Sequence, residues 1–247
     1  MKKAIVIVLF LLAVAWYFFP VGIEVFSSPQ TGRSLLFAMR LALPATLLAL
    51  GGIGLLPWLM TAGFFFCAVG DAMGVLGSFE GQMGGFAVAH ICFIIWLGKK
   101  VYESTSQRVN RSTSQRVNES KSLLLLILVL IPLVVAGVRI IPQIQDKVIR
   151  VGCIIYSLLL TGTLWTAWLR MASSRIPNPL KQKCQKLWPL LTALGATSFF
   201  VSDFVLAWNK FVGPVTNSRI VIMTTYYAAL LLLFMGEAYK NKKNSHF

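Results

Sequence analysis

Two aspartates stand deep inside apolar, helix-length segments, in surroundings that resemble each other. Asp71 closes Gly63-Phe64-Phe65-Phe66-Cys67-Ala68-Val69-Gly70-Asp71, and Asp203 closes Gly195-Ala196-Thr197-Ser198-Phe199-Phe200-Val201-Ser202-Asp203. Each has a glycine eight residues upstream and ends in Val, a small residue and Asp. A carboxylate near the middle of a bilayer costs roughly 2.5–3.5 kcal/mol on insertion scales, so such residues usually face a polar interior. The chemistry this pair offers is acid–base chemistry: one carboxyl keeps its proton as an acid while the other acts as a base on water. No GxSxG elbow, phosphate-cradling glycine loop or placeable Ser-His-Asp set accompanies them. One intramembrane histidine without clustered Cys or Glu supplies too few ligands for a metal, and no cofactor is expected.

The elements that must position the two acids follow from composition. The chain is 57% hydrophobic and only 13% charged, about half the charge of an ordinary soluble domain. A membrane span needs about 20 mostly apolar residues. Eight segments qualify, at 4–23, 34–50, 55–76, 82–98, 122–141, 148–170, 187–208 and 219–239. They leave no room for a separate soluble domain, so residues 1–247 read as one all-α, polytopic membrane domain. The first segment ends in Trp16-Tyr17-Phe18-Phe19-Pro20 rather than a small-residue cleavage pattern, so it is expected to be a retained helix. Cys67, Cys92, Cys153 and Cys184 lack CxxC spacing and read as small packing residues.

The net charge of +15 is sorted by side. With the N-terminus cytoplasmic and eight spans, both termini are cytoplasmic. Sixteen of the 23 basic residues then fall on the cytoplasmic side, against six outside and Arg40 within a span. This is the positive-inside pattern, so the high pI sets topology and meets anionic headgroups; nucleic acid is not an expected partner. Glu237, close to the basic tail, reads as a solvated helix-end residue.

Residues 99–121 form a basic cytoplasmic linker in which Ser104-Thr105-Ser106-Gln107-Arg108-Val109-Asn110 recurs at Ser112-Thr113-Ser114-Gln115-Arg116-Val117-Asn118. The linker is polar and without apolar periodicity, hence flexible, and reads as a tolerated duplication. It separates two sets of four helices. Spans three and seven then run in the same direction, so the two Asp segments form a candidate four-plus-four internal repeat.

Depth gathers further residues. Counting at 1.5 Å per residue, Asp71 and Asp203 lie about 8 Å from their outer helix ends, and Arg40, His90, Tyr156, Tyr226 and Tyr227 fall with them in a slab roughly 5 Å thick. His90 taken alone is more often a packing residue, and Arg40 could simply pair with an Asp.

At these residues the chain resembles the YhhN family of integral membrane proteins, which includes the lysoplasmalogenases. The resemblance rests on Gly70-Asp71 and its aromatic helix, and on Gly84-Gly85-Phe86-Ala87-Val88-Ala89-His90. It continues through Phe200-Val201-Ser202-Asp203-Phe204-Val205-Leu206-Ala207 and Met223-Thr224-Thr225-Tyr226-Tyr227-Ala228-Ala229. It implies a membrane hydrolase that splits the vinyl-ether bond of lysoplasmalogens to a fatty aldehyde and a glycerophospho-alcohol. Asp71 and Asp203 would then be the catalytic pair, with His90 orienting one of them or relaying a proton. Tyr156, Tyr226, Tyr227 and Arg40 would bind substrate, with Arg40 at the phosphate. The substrate is then a lysophospholipid drawn from the bilayer. The sequence departs from the family in span two, where Leu43 rather than Lys precedes Pro44 and the nearest cation is Arg40, one turn earlier. It departs also where Leu230 stands for a Gln and Phe93 for an aromatic hydroxyl. The alternative from a different class is a proton-coupled transporter or lipid carrier using the same buried acids. An intramembrane aspartyl protease fits less well, because Ala68 breaks GxGD and Ser202 replaces the usual Tyr before Asp.

Overall fold

The computed structural model describes residues 1–24, 35–109, 130–131, 133–173 and 179–239. Within them the chain is helical, with no strand. The helices are α1 (Lys2–Glu24), α2 (Leu35–Gly52), α3 (Trp58–Val75), α4 (Phe79–Val109), α5 (Leu133–Gln143), α6 (Lys147–Ser173), α7 (Pro179–Phe211) and α8 (Ser218–Ala238). Among the described residues α1, α3, α4, α6, α7 and α8 are long and apolar enough to cross a membrane, while α2 and α5 contribute shorter apolar stretches. The polytopic all-α reading therefore holds. Helices are the expected answer, because a lipid-facing backbone must satisfy its own polar groups.

Turn chemistry sets the helix ends. Gly54 and Gly77 occupy left-handed backbone, at φ +74° and +85°, where a Cβ would be strained. Gly54 ends the α2–α3 turn just ahead of Pro57, the residue before α3. In the α3–α4 turn, Ser78 Oγ accepts the Gly81 N–H at 3.0 Å and caps α4. Asp146 Oδ1 accepts the N–H groups of Val148 and Ile149 at 2.7 and 2.9 Å, starting α6. Asn209 Oδ1 accepts the Val215 N–H at 2.9 Å and holds the short turn between α7 and α8.

The described chain forms two compact units, Met1–Cys92 and Phe93–Phe247, and the division falls within α4. Helix α4 itself runs through the first copy of the duplicated heptapeptide as far as Val109. The second copy, residues 112–118, lies outside the described residues, as does the first part of the fifth expected span, residues 122–129.

In the first unit the helices approach closely at glycines. A Cβ on Gly51 would lie 2.5 Å from a methyl of Val6, so α1 and α2 nearly touch there. One on Gly85 would lie 2.7 Å from the Gly70 nitrogen, a backbone-on-backbone approach of α3 and α4 that only glycine permits. In the second unit α7 and α8 meet in the same way: a Cβ on Gly195 would lie 2.9 Å from the Leu233 nitrogen, and one on Gly236 equally close to the Thr192 nitrogen. Hydroxyls add to this join. Ser202 Oγ donates to the Ile222 carbonyl at 2.9 Å and Ser198 Oγ to the Thr225 carbonyl at 2.8 Å.

Candidate active site

In the second unit, Asp203 stands one residue after Ser202, whose hydroxyl ties α7 to α8, and on the α6 side it meets Tyr156. The Tyr156 hydroxyl donates to Asp203 Oδ2. Asp203 is 8% exposed, and among the described residues it forms no ion pair. Its polar partner is thus a neutral phenol. On the α8 side, buried Tyr226 packs edge-on against Phe199, one turn from Asp203, with ring centroids 5.4 Å apart, and Tyr227 packs against Tyr226 at 5.5 Å. The antiparallel pairing of Ser198 and Ser202 with Thr225 and Ile222 sets Tyr226 about five residues, roughly 7 Å, beyond the level of Asp203. Four of the residues singled out by the sequence, Tyr156, Asp203, Tyr226 and Tyr227, therefore gather in this unit.

Deeper along the same interface, Trp168 Nε1 donates to Thr197 Oγ1 at 3.1 Å. With Tyr156–Asp203, this makes two polar rungs between α6 and α7. Aromatic rings climb α7 beside the site: Phe200 stacks on Phe204, and Phe204 leans against Trp208.

The first unit carries Arg40, Asp71 and His90. Asp71 is 3% exposed and His90 fully buried. Gly70, immediately before Asp71, packs against the Gln82 carbonyl and the Phe86 ring. Arg40 lies with its guanidinium carbon 5.2 Å from the centre of the Trp16 ring, a cation–π contact between α2 and α1. The Gly70–Gly85 approach fixes the register of α3 and α4. Counted from it, His90 comes level with Phe65 rather than Asp71, about 9 Å further along the helix. For this pair the 5 Å slab is too narrow, because α4 starts at Phe79 and meets α3 earlier than the hydropathy boundaries imply.

Glu237 is a correction. It is not a solvated end residue but 2% exposed, and it forms an ion pair with equally buried Arg170. Glu237 Oε2 accepts from Trp96 Nε1 at 2.9 Å, and Oε1 accepts from Thr192 Oγ1 at 3.2 Å. Residues from α4, α6, α7 and α8 thus converge on one carboxylate. Sequence reasoning missed this cluster because Arg170 and Glu237 sit at helix ends beside basic segments, where charges are usually wet. The available signal was that both fall inside the predicted spans, at ends that the topology places on one side.

The curated relatives agree with the motifs. The chain is 36% identical over 81 residues to the lysoplasmalogenase TMEM86B of Sus scrofa, covering 33% of this chain and 28% of that protein. It is 39% identical over 81 residues to the human lysoplasmalogenase TMEM86A, covering 32% of each. The matched stretches thus span about a third of the curated relatives' length. No solved structure matches the chain. The YhhN family model matches residues 3–236, almost the whole sequence, with Asp71, His90, Asp203 and the Tyr226-Tyr227 pair inside it. On that match, this helical membrane chain, with its two aspartates in apolar helices, belongs to the YhhN family.

Proposed function

We propose that this chain hydrolyses the vinyl-ether bond of lysoplasmalogens within the membrane, using Asp71 and Asp203 as its acid–base groups. The observation that carries the reading is Asp203: a buried carboxyl bonded to the neutral Tyr156 phenol and lacking an ion-pair partner among the described residues. Its support comes from the YhhN match and from relatives named lysoplasmalogenases.

A vinyl ether hydrolyses by slow protonation of its outer alkene carbon, which leaves an oxocarbenium-like cation on the carbon bonded to oxygen. Water adds to that carbon, and the resulting hemiacetal collapses to a fatty aldehyde and the glycerol hydroxyl. One carboxyl delivers the proton; the other, ionised, stabilises the cation and draws the proton from the attacking water. Tyr156 holds the Asp203 carboxyl in one orientation, so that its second oxygen is presented consistently. Tyr226 and Tyr227 offer hydroxyls to water or the glycerol portion. Arg40, set over Trp16, serves the polar part of the lipid. The termini are placed in the cytoplasm on the basic-residue distribution.

The test is aldehyde release by purified protein supplied with a lysoplasmalogen, with an ester-linked lysophospholipid as comparison. We expect aldehyde from the first alone. Asp71→Asn and Asp203→Asn should each lower the rate by roughly a hundredfold or more, the scale of a lost general acid or base, with the thermal midpoint nearly unchanged. Aldehyde release that survives both substitutions together removes the mechanism. Movement of the lipid across vesicles without turnover points to a carrier instead.

A further inference from the structure

The bundle end that carries Asp203 is rich in cations, and helical geometry separates one of them from the rest. Lys147 and Arg150 begin α6, Lys210 ends α7 and Arg219 begins α8. The Arg150 guanidinium is committed locally, its Nε donating to the Ile144 carbonyl at 2.8 Å. Lys147 is an exposed residue of the first α6 turn, next to the capping Asp146. Lys210 is placed differently. It lies seven residues after Asp203, two turns along, so both project from the same face of α7 about 10 Å apart.

Across the interface, α6 repeats this order. Cys153 lies three residues before Tyr156, on the same helix face and one turn nearer the bundle end. Tyr156 bonds Asp203, and Cys153 is close enough to Lys210 to feel its charge. The α6–α7 seam therefore presents a carboxyl–phenol pair inside and an ammonium outside, in line along the two helices. The Asn209 bond to Val215 holds the adjoining turn, which fixes where α7 ends and where Lys210 emerges.

We propose that Lys210 reads the phosphate of the lysophospholipid whose vinyl ether lies at Asp203, an inference that rests on the vinyl-ether reading. In a lysoplasmalogen the oxygen-bearing vinyl carbon and the phosphorus are separated by six bonds, roughly 7 Å when extended. A flexible Lys stem closes the remaining gap, and an ammonium binds phosphate as a point charge. The lipid then enters headgroup-last: chain toward the bundle middle, glycerol past Tyr156, phosphate at the end of α7.

The experiment compares two substrates that differ only in the headgroup: 1-alkenyl-glycero-3-phosphoethanolamine and the phosphate-free 1-alkenylglycerol. Aldehyde release is measured for the full chain in detergent, as wild type and as Lys210→Gln, Lys210→Arg and Lys147→Gln. Lys210→Gln should raise KM roughly tenfold or more on the phosphate substrate, the scale of one hydrogen bond between charged groups, and leave KM on alkenylglycerol unchanged. Lys210→Arg should restore most of the affinity. Lys147→Gln removes the same charge from the same end and should change neither KM. An equal rise on both substrates, or an equal effect of Lys147→Gln, overturns the proposal in favour of a general surface charge. Aldehyde release with KM unmoved by Lys210→Gln overturns it outright while leaving the vinyl-ether reading intact. No aldehyde from wild type on either substrate overturns both.

Discussion

Helices α7 and α8 bury a carboxyl at each end of their contact, and the two are treated in opposite ways. Glu237 meets a guanidinium, an indole N–H and a hydroxyl, drawn from three other helices. Asp203 meets a phenol. A charge matched by an opposite charge and further hydrogen bonds has no reason to change state, and it resists being moved. A carboxyl held by a neutral donor keeps its protonation optional. The same pair of helices thus carries a fastening at one end and, on the proposed reading, a reactive group at the other. Burial alone does not distinguish them; the partners do.

The sharpest way to break this contrast is to remove half of the fastening. Glu237→Leu leaves Arg170 buried without its counter-charge, and loss of one partner of such a pair costs about 3–5 kcal/mol. We expect a large drop in the detergent thermal midpoint and in folded yield. Replacing both residues, Arg170→Met with Glu237→Met, should recover much of the loss, since an apolar pair carries no stranded charge. If the double replacement folds well yet loses aldehyde release entirely, Glu237 belongs to the chemistry and the contrast fails.

A smaller effect is expected at Gly236, next to the fastening. An added Cβ would lie 2.3 Å from Thr192 Oγ1 and 2.9 Å from both the Thr192 nitrogen and the Trp188 carbonyl oxygen. The hydroxyl could turn away but the backbone could not, so Gly236→Ala should cost about 1–3 kcal/mol as overpacking. The readout is again the thermal midpoint, with kcat of the folded fraction preserved.

Tyr156→Phe should act least on folding and selectively on rate. It deletes one hydroxyl and leaves the ring, a change of about 1 kcal/mol in hydrogen bonding. We expect a several-fold fall in kcat with little movement of the midpoint. The reverse result, a lowered midpoint with unchanged kcat, would make Tyr156 a fastening like Arg170.

Much of this was legible in the sequence because a bilayer imposes strong constraints. Hydropathy located α6 to within a few residues, 148–170 against Lys147–Ser173, and α8 equally well. Counting along helices brought Tyr156 to the level of Asp203, where a hydrogen bond now joins them. What escaped was partner identity across the bundle. Glu237 and Arg170 stand 67 residues apart, and nothing local distinguishes a snorkelling arginine from one that turns inward to a carboxylate. The register of α3 and α4 escaped for a related reason. It is fixed by a methyl group that is absent, at Gly85 and Gly70, and hydropathy gives that absence no weight.

The same 67-residue gap has a meaning for biosynthesis. Chains grow from the N-terminus at roughly 5–20 residues per second, so Arg170 is made several seconds before Glu237 exists. Throughout that interval Arg170 lacks the Glu237 carboxylate, and its long side chain can remain at the headgroups. Only when the final turn of α8 emerges can Arg170 turn inward. The last described helix therefore acts as a completion signal: a ribosome that stops short of Glu237 leaves behind helices that lack the ion pair joining α6 to α8.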